Sequence, residues 1–334
     1  MKKIESTSIA ILLEKYFANY LMIQRQASPH TIASYRDTFR LLLKYAQSKL
    51  NKTPSTLDMD DLNATLVNSF LHDLEVTRGI NARSRNQRLA AIHSFYKFAA
   101  IEVPEKSNVI ARVLAIPQKR FERAVIHYLT YDESEALLNS INRNTILGRR
   151  DYILLLLAIE TGLRASELIN IKVQDITLGS VSYVRCCGKG RKERTTPFSK
   201  QTSQTIKDWV AEHGYHENDY LFTSARGVPL SVDGLEYIVR KYTTQAQCHC
   251  PSLSKKKVSP HVLRHTAAMR MLQSGIDLSV IALWLGHESI NTTQMYIDAD
   301  MTMKERALEK TTPIDIKPGR FHPGDQLLAF LDSL

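Results

Sequence analysis

The sequence has little cysteine, no long apolar run and no grouped carboxylates, and each shortage removes a class of protein. Four cysteines in 334 residues, as Cys186-Cys187 and Cys248-His249-Cys250, are too few and too clustered to frame a disulfide-stapled secreted fold. Reduced thiols are expected. The second cluster is also poorly spaced for structural zinc, whose paired ligands usually stand about two to four residues apart so that the chain can wrap a tetrahedron. The longest apolar run, Ile153 to Ile159, falls far short of a membrane span. The start, Met1-Lys2-Lys3-Ile4-Glu5, lacks the apolar stretch of a signal peptide. Asp and Glu are scattered, whereas a two-metal nuclease needs a cluster of them. The expectation is a soluble, intracellular protein with no membrane partner and no metal site.

Basic residues, in contrast, are plentiful. The 44 Lys and Arg against 34 Asp and Glu leave a formal charge of +10, which favours a polyanionic partner such as nucleic acid. The length suits two domains, each with its own core. From Ile9 to Ala100 the apolar residues recur at helical spacing: Ile9, Leu12, Leu13, Tyr16 and Phe17, then Tyr35, Phe39, Leu42, Leu43 and Ala46. A third helix is expected over Val67 to Arg78 and a fourth from near Ser84 through Phe98, stopping before Pro104. Between Pro104 and Thr130 the pattern weakens, which predicts an irregular connector. Helices then resume at Tyr131 to Ser140 and Arg149 to Glu160.

From Ile171 to Phe198 β-branched residues alternate with polar ones around Gly179-Ser180 and Gly188-Lys189-Gly190, the pattern of a small antiparallel sheet. The remainder reads as helices over Gln201 to His213, Ser231 to Thr244, Ser259 to Ser274, Leu278 to Leu285 and Ile290 to Asp298. The fold class is therefore mainly α with a small antiparallel β-sheet. The expected division is a helical domain over residues 1–112, a linker over 113–128, a mixed domain over 129–312 and a tail over 313–334 with a further helix.

Four short motifs carry chemistry. In Ser259-Pro260-His261-Val262-Leu263-Arg264-His265, Ser and Pro announce a helix start, and His261, Arg264 and His265 then share one face. The free N–H groups of a helix N-terminus favour an anion there, and an Arg adds a planar fork for two phosphate oxygens. Thr161-Gly162-Leu163-Arg164-Ala165-Ser166-Glu167 presents Arg164 in a turn between helices. Gly188-Lys189-Gly190-Arg191-Lys192-Glu193-Arg194 puts Lys189 at a hairpin tip. Leu285-Gly286-His287 is followed, nine residues after the His, by Tyr296. Taken one at a time each has an ordinary explanation: a solvated turn arginine, a charged hairpin tip, a capped amphipathic helix, a core aromatic.

Taken together, in this order, they resemble the tyrosine recombinases, also called phage integrases, of the Xer-like site-specific type. The resemblance spans about Leu129 to Asp298, and the N-terminal helices look like the family's SAM-like core-binding domain. It implies an enzyme that cuts and rejoins DNA through a 3′-phosphotyrosine, with a Holliday-junction intermediate and without metal, ATP or any cofactor. The catalytic residues would be Arg164, Lys189, His261, Arg264, His287 and Tyr296, with Glu167 and His265 supporting them from behind. Two domains would close on DNA as a C-shaped clamp. DNA contacts would come from Thr31, Arg36, Arg83, Arg85, Asn86 and Arg88, and from Lys255, Lys256 and Lys257 before the His261 helix. The partners implied are double-stranded DNA with a specific crossover site and three further copies, as a homo-tetramer on two duplexes in the cytoplasm, at the nucleoid. Leu327, Leu328, Phe330 and Leu331 of the tail would dock on a neighbouring copy. Two alternatives stay open: a type IB topoisomerase, which uses similar residues, and an architectural DNA-binding protein without catalysis.

Overall fold

The computed structural model describes residues 8–121, 126–188, 193–287, 289 and 291–299, and the chain divides into two compact units, Met1–Arg123 and Ala124–Leu334. The first is helical: α1 (Ile9–Lys15) running on into a wider-wound segment, Tyr16–Gln24, then α2 (Pro29–Leu50), α3 (Ala64–Arg78), α4 (Ala82–Glu102) and α5 (Ser107–Leu114). Side-chain oxygens of Ser8, Ser28, Asn63 and Asn81 cap α1 to α4 by accepting a backbone N–H of the first turn. The α4 helix packs on α2, α3 and α5, and its Phe95 meets Phe39 and Tyr16 edge to face at 5.2 and 5.4 Å.

One expectation is corrected within this unit. The segment after Pro104 is not irregular throughout, because α5 buries Ile110 and Val113, and Ile116 follows them into the same core. The helix is only eight residues long, so its apolar positions, Val109, Ile110, Val113 and Leu114, span about two turns and leave little periodicity to read. Val113 and Ile116 thereby lie in the first unit's core, inside the stretch expected to be linker.

The second unit opens with α6 (Tyr131–Asn139), α7 (Ile146–Thr161) and α8 (Ala165–Ile169). A three-stranded antiparallel sheet follows, β1 (Ile176–Thr177), β2 (Tyr183–Cys187) and β3 (Glu193–Pro197), in the order β1-β2-β3 with Cys186 opposite Arg194. Then come α9 (Lys200–His213), α10 (Val232–Ala246), α11 (Pro260–Gln273), α12 (Leu278–Leu285) and α13 (Asn291–Ala299). The mainly helical class with one small antiparallel sheet is as the sequence predicts. Helix α7 is the axle of this unit, buried along Leu154, Leu155, Leu157 and Ala158 and packed on α9 and α11. A smaller core gathers Ala268, Met269, Leu272, Ile281, Leu285 and Tyr296 from α11, α12 and α13. Among the described residues no helix is long and apolar enough to cross a membrane. The tail and its expected docking helix lie outside the described residues.

Candidate active site

Two glycine-terminated helices set the geometry. Helices α7 and α12 end at Gly162 and Gly286, both left-handed, with φ of +63° and +64°. An added Cβ at Gly162 would come within 2.7 Å of Leu285 Cδ2 and 3.0 Å of Ala267 Cβ, so the two helix ends and α11 meet where only glycine fits.

The side chain of Arg264 is threaded between these ends. Its Nη1 donates to the Gly162 carbonyl at 2.6 Å and its Nη2 to the Leu285 carbonyl at 2.7 Å. It is 3% exposed, and burial, aided by repulsion from Arg164, pushes its pKa down to about 10. Arg164 caps the start of α8 and its Nη2 donates to the next carbonyl, Gly286, at 3.0 Å. The two arginines thus reach consecutive residues of the turn that leads into His287.

Glu167 orients Arg164. Its Oε2 accepts the Arg164 backbone N–H at 2.8 Å and its Oε1 accepts Arg164 Nη1 at 2.9 Å. The same carboxylate takes both ends of the Arg194 fork, Nη1 on Oε1 at 2.9 Å and Nη2 on Oε2 at 2.6 Å. Burial alone would raise this carboxyl, but the bonds from Arg194 and then Arg164 outweigh it and hold the pKa below the usual range. Arg194 was not singled out in the sequence. One signal was there: strand alternation puts it on the inward face with the buried Thr196, and an inward arginine demands a partner.

On α11 and α13, His265 Nδ1 lies 2.9 Å from the Tyr296 hydroxyl. Burial, then repulsion from His261 and Arg264, pushes His265 down to about 4, so it is neutral near pH 7 while its Nδ1 shares a hydrogen bond with the hydroxyl. Tyr296 is 1% exposed, and burial raises it to about 12 against the pull of Arg264. The ring of His261 lies on the exposed side of His265, with centroids 4.3 Å apart. His287 Nδ1 is 2.8 Å from Thr293 Oγ1, and burial and the neighbouring arginines push it down to about 4. The structure therefore brings together Arg164, Glu167, His261, Arg264, His265, His287 and Tyr296. Lys189 lies outside the described residues.

The residues expected to touch DNA divide. Arg36, Arg83, Lys255 and Lys257 are exposed, and Thr31 and Arg88 are half-buried. Three need correction. Arg85 and Asn86 are buried: Arg85 donates to the Pro117 carbonyl, and Asn86 both donates to the Lys119 carbonyl and accepts its N–H. They clip the 117–119 segment to α4 instead of facing solvent. Lys256 donates to Glu133 at 2.6 Å and to the Tyr128 carbonyl at 2.8 Å, so its charge is satisfied within the unit.

Residues 127–303 match the model of the phage integrase family, and residues 14–102 match its N-terminal SAM-like domain. A putative integrase/recombinase, y4rC, of Sinorhizobium fredii is 53% identical, with 98% of each chain covered. The tyrosine recombinase XerC of Caldanaerobacter subterraneus is 30% identical over 88% of this chain and 85% of its own. In fold, the chain resembles the XerH site-specific recombinase in its post-cleavage complex, with a TM-score of 0.69 at 23% identity over 86% of this chain and 81% of that one. These matches favour neither the topoisomerase nor the non-catalytic alternative. The chain belongs to the phage integrase family, the tyrosine recombinases, enzymes that cleave and rejoin DNA.

Proposed function

We propose that Tyr296 is the nucleophile of a site-specific recombination reaction. Its Oη forms a bond to a scissile phosphorus, the bond from phosphorus to the 5′-oxygen breaks, and a 3′-phosphotyrosine remains with a free 5′-hydroxyl on the leaving strand. The 5′-hydroxyl of a partner strand then attacks that phosphorus and returns the proton to the tyrosine; two such exchanges pass through a Holliday junction. The phosphodiester's energy is kept in the covalent link, so no ATP is consumed.

The observation that carries this reading is the convergence of Arg164 and Arg264 on consecutive carbonyls, Gly286 and Leu285, beside His287. Two forks aimed at one spot suit the extra negative charge of a pentavalent phosphorane. In this reading His287 donates a further hydrogen bond to the same oxygens. His261 either takes the tyrosine proton or bonds the phosphate, and Lys189 protonates the departing 5′-oxygen. Glu167 and His265 hold Arg164 and Tyr296 from behind.

The partner is double-stranded DNA carrying a specific crossover site, with a core-binding domain over 1–112 whose core extends through Ile116, a linker up to 128, a catalytic domain over 129–312 and a tail over 313–334. Arg36, Arg83, Arg88, Thr31, Lys255 and Lys257 contact the backbone. The structures of XerH on its difH substrate and of a lambda integrase dimer on a COC′ core site support this choice of partner. A homo-tetramer on two duplexes fits a cavity of about 400 Å³ lined by Phe198, Met271, Ile276 and Trp284 together with the charged Glu160 and Arg270, with room for the tail of another copy. The enzyme would work in the cytoplasm, at the nucleoid, in integration, excision, transposition or resolution.

The test is covalent trapping. A duplex selected from a randomised pool by binding to the wild-type protein is nicked near its centre and incubated in EDTA with wild type and Tyr296→Phe. An adduct on a denaturing gel with wild type alone is the expected result. An adduct with both moves the nucleophile elsewhere, and none with either, on DNA shown to be bound, overturns the reading.

A further inference from the structure

We propose that Arg194 is a positioning residue for strand cleavage: by occupying the Glu167 carboxylate it leaves Arg164 the charge and the free N–H groups that a scissile phosphate needs. The inference rests on the phosphate-binding role proposed for Arg164.

Consider Glu167 with Arg164 as its only partner. The carboxylate is 8% exposed, and a buried carboxylate held against one guanidinium at 2.9 Å would cancel much of that guanidinium's charge. Arg194 changes the division. It meets both carboxylate oxygens, and its contact of 2.6 Å to Oε2 is closer than any that the Arg164 side chain makes there. One negative charge is thus shared by two forks, and the more buried fork, with a side chain 12% exposed against 34% for Arg164, holds the larger part of it.

Arg194 is also placed by its other contacts. Its Nε donates to the Trp284 carbonyl at 3.2 Å near the end of α12. A Cβ built at Gly286 would lie 2.9 Å from its Nη1 and 3.1 Å from its Cδ. The carbonyl of that same glycine accepts from Arg164 Nη2. The contacts form a closed circuit: Arg164 to Glu167, Glu167 to Arg194, Arg194 to the end of α12, and α12 back to Arg164. Within it Arg164 uses one hydrogen of Nη1 on Glu167 and one of Nη2 on Gly286, keeping Nε–H and two further hydrogens for an oxyanion. Because Arg194 is the second residue of β3 and pairs with Cys186 near the turn end of the β2–β3 ladder, the circuit also fixes the strand pair next to the 188–193 connection.

The experiment compares full-length wild type, R194K, R194Q and the double variant E167Q/R194Q on one nicked duplex selected by the wild-type protein. Adduct formation is followed at saturating enzyme, and affinity separately. R194Q should form adduct about 10- to 100-fold more slowly, the usual range for an outer partner of an active-site group, with its Kd for the duplex within about twofold of wild type. R194K, which keeps the charge without the fork, should fall between. The double variant should be faster than R194Q alone, since the uncharged amide that replaces the Glu167 carboxylate no longer neutralises Arg164. That recovery is a readout that loss of packing does not produce. If R194Q proves unstable in a thermal melt, R194K against wild type carries the same comparison. Wild-type rates in R194Q and R194K, or a double variant slower than R194Q, would overturn the inference while leaving the tyrosine chemistry standing. No adduct with wild type on bound DNA would remove the chemistry itself, and the role of Arg194 with it.

Discussion

Acid should unfold this protein earlier than its carboxylates require, because His265 is held neutral by burial beside the Tyr296 hydroxyl. A free histidine titrates near 6.5, whereas His265 in the fold is pushed down to about 4. Between these values the unfolded chain binds the proton and the folded chain does not, so stability rises with pH through this window and is lost as pH falls. The contribution is fully present above about pH 6.5. Going from pH 7.5 to 5.5 removes on the order of 1 kcal/mol on account of this one side chain, and none of the loss is returned on further acidification. His287 is pushed the same way, by burial and the neighbouring arginines, and adds to the loss. Guanidinium midpoints at the two pH values, for wild type and His265→Asn, isolate the effect, because asparagine keeps a hydrogen-bonding group near the hydroxyl and cannot titrate. The variant should lose on the order of 1 kcal/mol less than wild type over the interval, whatever its absolute stability. Equal losses in the two proteins would refute the buried, neutral histidine.

Gly162→Ala should destabilise the second unit by about 2–4 kcal/mol, from the left-handed backbone and the crowding against Leu285 and Ala267, while Gly179→Ala, with open space around it, should change stability by less than about 0.5 kcal/mol. Chemical denaturation reads both. Lys256→Met should cost about 2–3 kcal/mol by leaving the buried Glu133 carboxylate short of its cation, and should weaken DNA binding less than Lys255→Met or Lys257→Met, as a filter-binding titration at two salt concentrations would show.

How much of this was legible in the sequence follows the range of the interactions involved. Ser259 and Pro260 start α11 as their types demand, and Gly162 and Gly286 end α7 and α12, so the register of His261, Arg264 and His265 was readable from local rules. Arg85 and Asn86 were not, because their partners, Pro117 and Lys119, stand more than thirty residues along the chain. A polar run on a helix looks solvated until something distant folds over it. Lys256 was hidden in the same way, its carboxylate lying 123 residues before it. Arg194 was masked by company: at the end of a charged hairpin tip it resembled its neighbours, and only the strand's alternation set it apart.

The circuit around Glu167 has a consequence for the enzyme before it meets DNA. Three guanidinium groups, Arg164, Arg194 and Arg264, crowd about one carboxylate with two neutral imidazoles nearby, and Arg264 is depressed to about 10 by burial and by that company. The resting site therefore concentrates positive charge, and burial makes the charge on Arg264 costly. Any oxyanion that settles there offsets that charge. Inorganic phosphate, sulfate and stray polyanions should raise the melting temperature of the DNA-free protein and slow its reaction with DNA by the same occupancy, so the choice of buffer doubles as a choice of competitor.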